Sequence, residues 1–192
     1  MPSPLRWPRA LLVVATAAAL LAVLVVAPEP AGRWLAKEGP VEHASHLVLL
    51  LAALTWLGLG LSRGRALVMS CFLLVVLAEE VDWGAVYGLP ALGVRIDAAV
   101  GHRNLHNALR GASYLLFALP LALYFGAPAR RLGALAPTAD ERAAFALVAA
   151  AFVAFNLGPW ERQAQELLEA VLYALLLAVG LRCAAGTRRL RS

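Results

Sequence analysis

Charge is scarce in this chain. Asp, Glu, Lys and Arg make up 15% of its 192 residues, against roughly 25% in an ordinary soluble domain. With 61% hydrophobic residues and a mean hydropathy of +0.73, the composition excludes an ordinary water-soluble fold. It also excludes low-complexity disorder, which arises from a lack of apolar side chains. Cysteine is nearly absent. Cys71 and Cys183 each fall inside an apolar stretch with no CxxC or other ligand spacing, so neither a structural disulfide nor a thiolate metal site is expected. No Gly-rich phosphate loop follows a strand, no Gly-x-Ser-x-Gly elbow is present, and no lysine lies within an apolar run, which removes the common nucleotide-binding, serine-hydrolase and Schiff-base readings. A net charge of +5 and a pI near 9.9 would suit a nucleic-acid binder only if the arginines formed one basic face. They are scattered between apolar runs, so no nucleic-acid partner is expected.

Long apolar runs dominate instead. Crossing a bilayer takes roughly 20 mostly apolar residues, and the runs predict an all-α polytopic membrane protein, a single domain of six helices near residues 9–28, 43–62, 65–83, 108–127, 142–159 and 163–182. The runs are continuous rather than alternating, which favours helices over a barrel. Arg6 and Arg9 before the uncharged run from Ala10 to Ala27 resemble a signal peptide, but 18 residues exceed the usual apolar core of a leader. The run is read as a retained helix. One connection is long, residues 82–107, and contains Gly84, Gly88, Pro90, Gly93 and Gly101; loops of this length are usually functional or re-entrant.

The Lys/Arg bias sets the orientation. In the six-span plan eleven arginines fall on the side of the termini and six basic residues, Arg33, Lys37, Arg95, Arg103, Arg110 and Arg162, on the other. Both termini are therefore expected in the cytoplasm of a bacterial cell, the protein in its inner membrane, and the loop 82–107 outside. All four histidines and ten of the twelve acids then lie on the outer side, with only Asp140 and Glu141 inside.

Several of these acids cannot sit in ordinary loops. The run Ala66–Ala78 has 13 residues, about 20 Å of a roughly 30 Å hydrocarbon core, so that helix must carry Glu79 and Glu80 to membrane depth. By the same arithmetic the last helix needs Glu166 and Glu169 to complete its span. Gln163, Glu166, Glu169 and Tyr173 recur at helical spacing as one polar stripe, which cannot face lipid. Glu42, His43 and His46 can share a face at the start of the second helix, and His102 and His106 repeat the i, i+4 spacing before the fourth.

Carboxylates at membrane depth need pairing, hydrogen bonds or a metal. The imidazole and carboxylate set suits Zn, Fe or Mn, and helices that each donate Glu or His at i, i+3 or i+4 follow the logic of di-metal bundles. The match is partial, because the chain offers Glu-x-x-Glu and His-x-x-His rather than two Glu-x-x-His motifs. The expected site therefore has Glu79, Glu80 and Glu166 as catalytic groups, and His43, His46, His102, His106, Glu80 and Glu169 as ligands of a divalent metal. Trp83, Asn104 and Asn107 would contact a lipid or other membrane-soluble substrate. A proton or ion pathway, or a structural polar network in an assembly subunit, uses the same residues and stays open. So do plainer roles: Trp83 as an interfacial anchor, Asn104 or Asn107 as a helix cap, and Pro120 as a kink.

The stretch Ala-Glu-Glu-Val-Asp-Trp-Gly-Ala at 78–85, followed by Arg-Asn-Leu-His-Asn-Ala-Leu at 103–109, resembles a family of uncharacterised bacterial multi-span membrane proteins. These carry a Glu-Glu-x-x-Trp-Gly segment, usually continued by Gln-Arg, and then Asn-Leu-His-Asn. The resemblance implies a shared role for Glu79, Glu80, Trp83, Gly84, Asn104, His106 and Asn107. It implies no reaction, since the family has no assigned activity. Ala85 and Val86 depart from the Gln-Arg continuation.

Overall fold

The computed structural model describes Ala18 and residues 33–36, 39–61, 63–87, 109, 113–155 and 161–189. Among these residues all regular structure is helical and there is no strand. The helices are α1 (Pro40–Gly60), α2 (Gly64–Glu80), α3 (Ser113–Gly126), the short α4 (Ala129–Leu132), α5 (Ala139–Phe155) and α6 (Glu161–Arg189), with 3-10 turns at Asp82–Tyr87 and Gly133–Leu135. The expected first span, 9–28, lies outside the described residues apart from Ala18.

Among the described residues two helices are long and apolar enough to cross a membrane: α1, with 21 residues, and the 23-residue stretch Gln165–Thr187 of α6. They correspond to the expected spans 43–62 and 163–182, and α6 continues seven residues past the expected end. The 17-residue α2 and α5 reach only about 26 Å each, and the apolar part of α3, Leu116–Gly126, is shorter still.

The chain divides into two compact units, Met1–Ala52 with Pro137–Ser192, and Ala53–Ala136, the boundary falling within α1. In the first unit α5 packs on α6 in antiparallel sense, because Glu141 in the first turn of α5 pairs with Arg182 near the end of α6. Leu35, Val148, Leu167 and Val171 form a buried cluster, with Val41, Phe152 and Leu172 packed against it. The start of α1 is thus held level with the first half of α6. Leu168, Val171, Leu175, Val179 and Cys183 are buried on α6 at steps of three and four, one helical face.

The start of α1 is specified locally. Pro40 opens the helix, where a missing N–H costs nothing, and the Gly39 carbonyl accepts from His43 N at 3.1 Å. A Cβ at Gly39 would lie 2.6 Å from Ala36 O and 2.9 Å from Trp34 O, so the turn into α1 admits only glycine without moving backbone.

In the second unit α1 and α2 are joined by a tight turn in which Arg63 N donates to Gly60 O. Ser70 Oγ donates to Ala53 O across the pair at 2.9 Å, and the small buried Ala53, Ala66 and Ser70 permit that close approach. Trp56 is fully buried and stacks edge-on against Tyr124 of α3 at 5.7 Å. The Tyr124 hydroxyl donates to Leu135 O at 2.7 Å, tying the 133–135 turn to α3.

Candidate functional site

The exposed face of α1 is apolar, unlike that of a helix in a soluble protein. Leu47, Leu50, Leu51, Leu54 and Leu57 are exposed, while Glu42, Ser45 and His46 are buried on the same side as Leu49, Ala52, Ala53 and Trp56. An apolar outer face over buried ionisable groups is what a helix in lipid requires, since lipid can solvate leucine but not a carboxylate.

Glu42 and His46, four residues apart on one face, hold their Oε1 and Nε2 atoms 3.9 Å apart. Ser45 Oγ donates to Glu42 O at 2.8 Å, returning its hydroxyl to the helix instead of offering it as a nucleophile. His43 is exposed, and its ring meets that of His46 edge-on with centroids 6.1 Å apart. The expected His43/His46 pair is therefore divided between an outward and an inward imidazole.

On α6, Glu166 and Glu169 are half-buried and Tyr173 is buried. Gln165 Nε2 donates to Glu169 Oε1 at 2.9 Å. Gln165 was missed in the polar stripe; its i, i+4 spacing to Glu169 is the signal that would have found it. The side chain of Gln163 lies outside the described residues. Because the cluster of Leu35, Val41, Leu167 and Val171 joins the start of α1 to the first half of α6, the Glu42/His46 and Glu166/Glu169 groups belong to one end of the first unit.

The opposite end holds a second polar group. Thr138 N donates to Glu141 Oε2 at 2.8 Å and Glu141 N to Thr138 Oγ1 at 3.3 Å, a reciprocal capping box at the start of α5. The same carboxylate receives Arg182 Nε at 2.7 Å and Nη2 at 3.0 Å. The Thr-x-x-Glu spacing is visible in the sequence, whereas a partner 41 residues away is not.

In the second unit α2 carries Glu79 and ends at Glu80, three residues before the expected end of that span at 83. Glu79 is buried and accepts from Trp83 Nε1 at 2.8 Å; Glu80 is half-buried. Asp82 and Trp83 adopt left-handed backbone conformations (φ 46° and 53°), which end the helix and turn the indole back onto the carboxylate. His102, Asn104, His106 and Asn107 lie outside the described residues, as does most of the expected 82–107 loop. Among the described residues no group of three His, Cys, Asp or Glu side chains is placed to hold a metal ion.

Comparison with protein-family models, curated proteins and solved structures finds no match to this chain. The functional reading therefore rests on the residues themselves.

Proposed function

We propose that the chain is a multi-span integral membrane protein, a bundle of about six helices with both termini cytoplasmic. In this reading its outer-side Glu and His groups form a metal-dependent enzymatic site for a lipid or other membrane-soluble substrate. The observation that carries the reading is the buried Glu42/His46 pair beneath the leucine face of a span-length helix. A carboxylate and an imidazole together are a suitable pair of ligands for Zn, Fe or Mn. Glu166 and Glu169 at the same end of the first unit offer further ligands, and His102 and His106, which precede the fourth expected span, complete the expected set. A metal there would activate water at neutral pH or polarise a substrate oxygen.

The second reading is a proton or ion pathway through the same groups. It is favoured by the finding that no three ligating side chains meet among the described residues, since a relay needs neighbours in pairs rather than a closed coordination shell. Metal analysis of the full chain, purified in detergent after growth with Zn, Fe and Mn supplied, separates the two. One or two ions per chain, released by His46→Ala or Glu169→Gln, supports the enzyme. Less than about a tenth of an ion per chain removes it and leaves the pathway.

A further inference from the structure

The second unit carries a basic groove that the Glu/His site does not use. Arg63 and Arg65, beside the turn between α1 and α2, line an open cavity of about 430 Å³ with Gly64, Leu132, Ala134 and Leu135. Its volume falls in the range of small-ligand sites, roughly 300–1,000 Å³. Arg65 Nη1 donates to Arg131 O, which brings the exposed Arg130–Arg131 pair alongside. Two arginines thus line the cavity with the backbone of a second pair beside them, and none of the four has a carboxylate partner among the described residues. Among the described residues of this unit the acids, Glu79, Glu80 and Asp82, stand at the far end of α2, about 22 Å away along the helix.

The wall of the groove is fixed. Tyr124 holds Leu135 O, Trp56 holds the Tyr124 ring, and Gly133 takes the φ of +59° that the turn needs. Two exposed apolar residues are near in sequence, Leu61 two residues before Arg63 and Val68 three residues, one helical turn, after Arg65. Arginine forks recognise phosphate oxygens bidentately, and an apolar flank beside them suits acyl chains.

We propose that this groove binds the phosphate headgroup of an anionic phospholipid, with Arg63 and Arg65 as the phosphate-contacting residues and Arg130 and Arg131 reinforcing the field. Simple topology signalling needs arginines on one side of the membrane; it does not need Arg63 and Arg65 to line one cavity whose wall is braced. The proposal rests on membrane residence and is independent of the Glu/His chemistry. A chain recovered in the soluble fraction would remove membrane residence, whereas the lipid measurement below is made on detergent-purified protein and reads the groove alone.

The test is titration of the full chain in detergent with phosphatidylglycerol and with phosphatidylcholine, bound lipid being counted by native mass spectrometry. Phosphatidylglycerol should bind preferentially. Each arginine near an anionic headgroup is worth roughly fivefold in affinity, so Arg63→Gln with Arg65→Gln should weaken binding about 25-fold, Arg65→Lys should weaken it less, and Arg33→Gln should leave it unchanged. On the unaltered protein, bound phosphatidylglycerol should protect Arg63 and Arg65, but not Arg33, from phenylglyoxal. That readout stands even if the double variant fails to fold. Equal binding of the two lipids, unchanged affinity in a folded double variant, or absence of protection at Arg63 and Arg65 overturns the proposal. Inorganic phosphate that displaces the lipid at equal concentration also overturns it, because the site would then be one for free phosphate.

Discussion

Glu141 and Arg182, 41 residues apart in sequence, meet through two hydrogen bonds between the guanidinium fork and the two carboxylate oxygens. The same carboxylate closes the first turn of α5 on Thr138. One side chain thus fixes where α5 begins and how it registers against α6. The pair binds one end of the first unit, and the apolar cluster around Val171 binds the other.

Removing Glu141 should therefore cost more than removing either partner. Thr138→Ala loses only a cap, about 0.5–2 kcal/mol. Glu141→Ala loses the cap and both hydrogen bonds from Arg182, for which about 2–4 kcal/mol is expected, below the upper range for fully buried pairs because the Arg182 side chain is 32% exposed. Denaturant unfolding in mixed micelles measures both. Equal costs for the two variants would mean that the Arg182 contact carries no weight.

Trp83 and Glu79 offer a second energetic test. The indole donor satisfies a buried carboxylate, and a hydrogen bond to a charged group is worth about 1.5–3 kcal/mol. Trp83→Phe keeps most of the ring and loses the donor, so it should destabilise by that amount. In a Glu79→Gln background its effect should shrink, giving a coupling of about 0.5–3 kcal/mol. A Trp83→Phe cost that is the same in both backgrounds would show that Trp83 acts as an interfacial anchor alone.

How far the sequence carries is clear from individual residues. Run length places α1 and α6, because crossing a bilayer demands about 20 apolar residues and nothing else in the chain competes for those stretches. The i, i+4 spacing of Glu42 and His46 places them on one face, since helical periodicity is local. The pairing of Glu141 with Arg182 depends on how two helices register, which no local pattern encodes. The end of α2 is similar: Asp82 and Trp83 take left-handed conformations at positions where no glycine announces them, so the return of the indole onto Glu79 is legible only in three dimensions. His43 shows the converse, a residue with the right spacing that faces outward.

Orientation can be settled on intact cells. The eleven-to-six asymmetry of Lys and Arg predicts residue 93 outside and residue 134 inside. Single cysteines at Gly93 and at the exposed Ala134, in a chain lacking Cys71 and Cys183, should react with an impermeant thiol reagent at 93 only. Labelling at 134 and not at 93 would invert the orientation and put the Glu/His groups on the cytoplasmic side.

The proposed function requires that His46 of α1 and Glu169 of α6 work together. Both belong to the end of the first unit organised by Val41, Leu167 and Val171, His46 is buried beside Glu42, and Glu169 is steadied by Gln165. Groups that share a site couple energetically, whereas residues more than roughly 7–10 Å apart with no shared partner add independently. His46→Ala combined with Glu169→Gln should therefore differ from the sum of the single changes by about 0.5–3 kcal/mol in detergent unfolding. A bound metal makes a further demand. Because an ion that binds only the folded state stabilises it by mass action, stripping it with a chelator should lower the unfolding midpoint of the unaltered protein and leave the His46→Ala variant unmoved. Coupling without a chelator effect selects the proton or ion pathway over the metal enzyme. Strict additivity with no chelator effect would leave His46 and Glu169 in separate local roles, and the shared site would have to be given up.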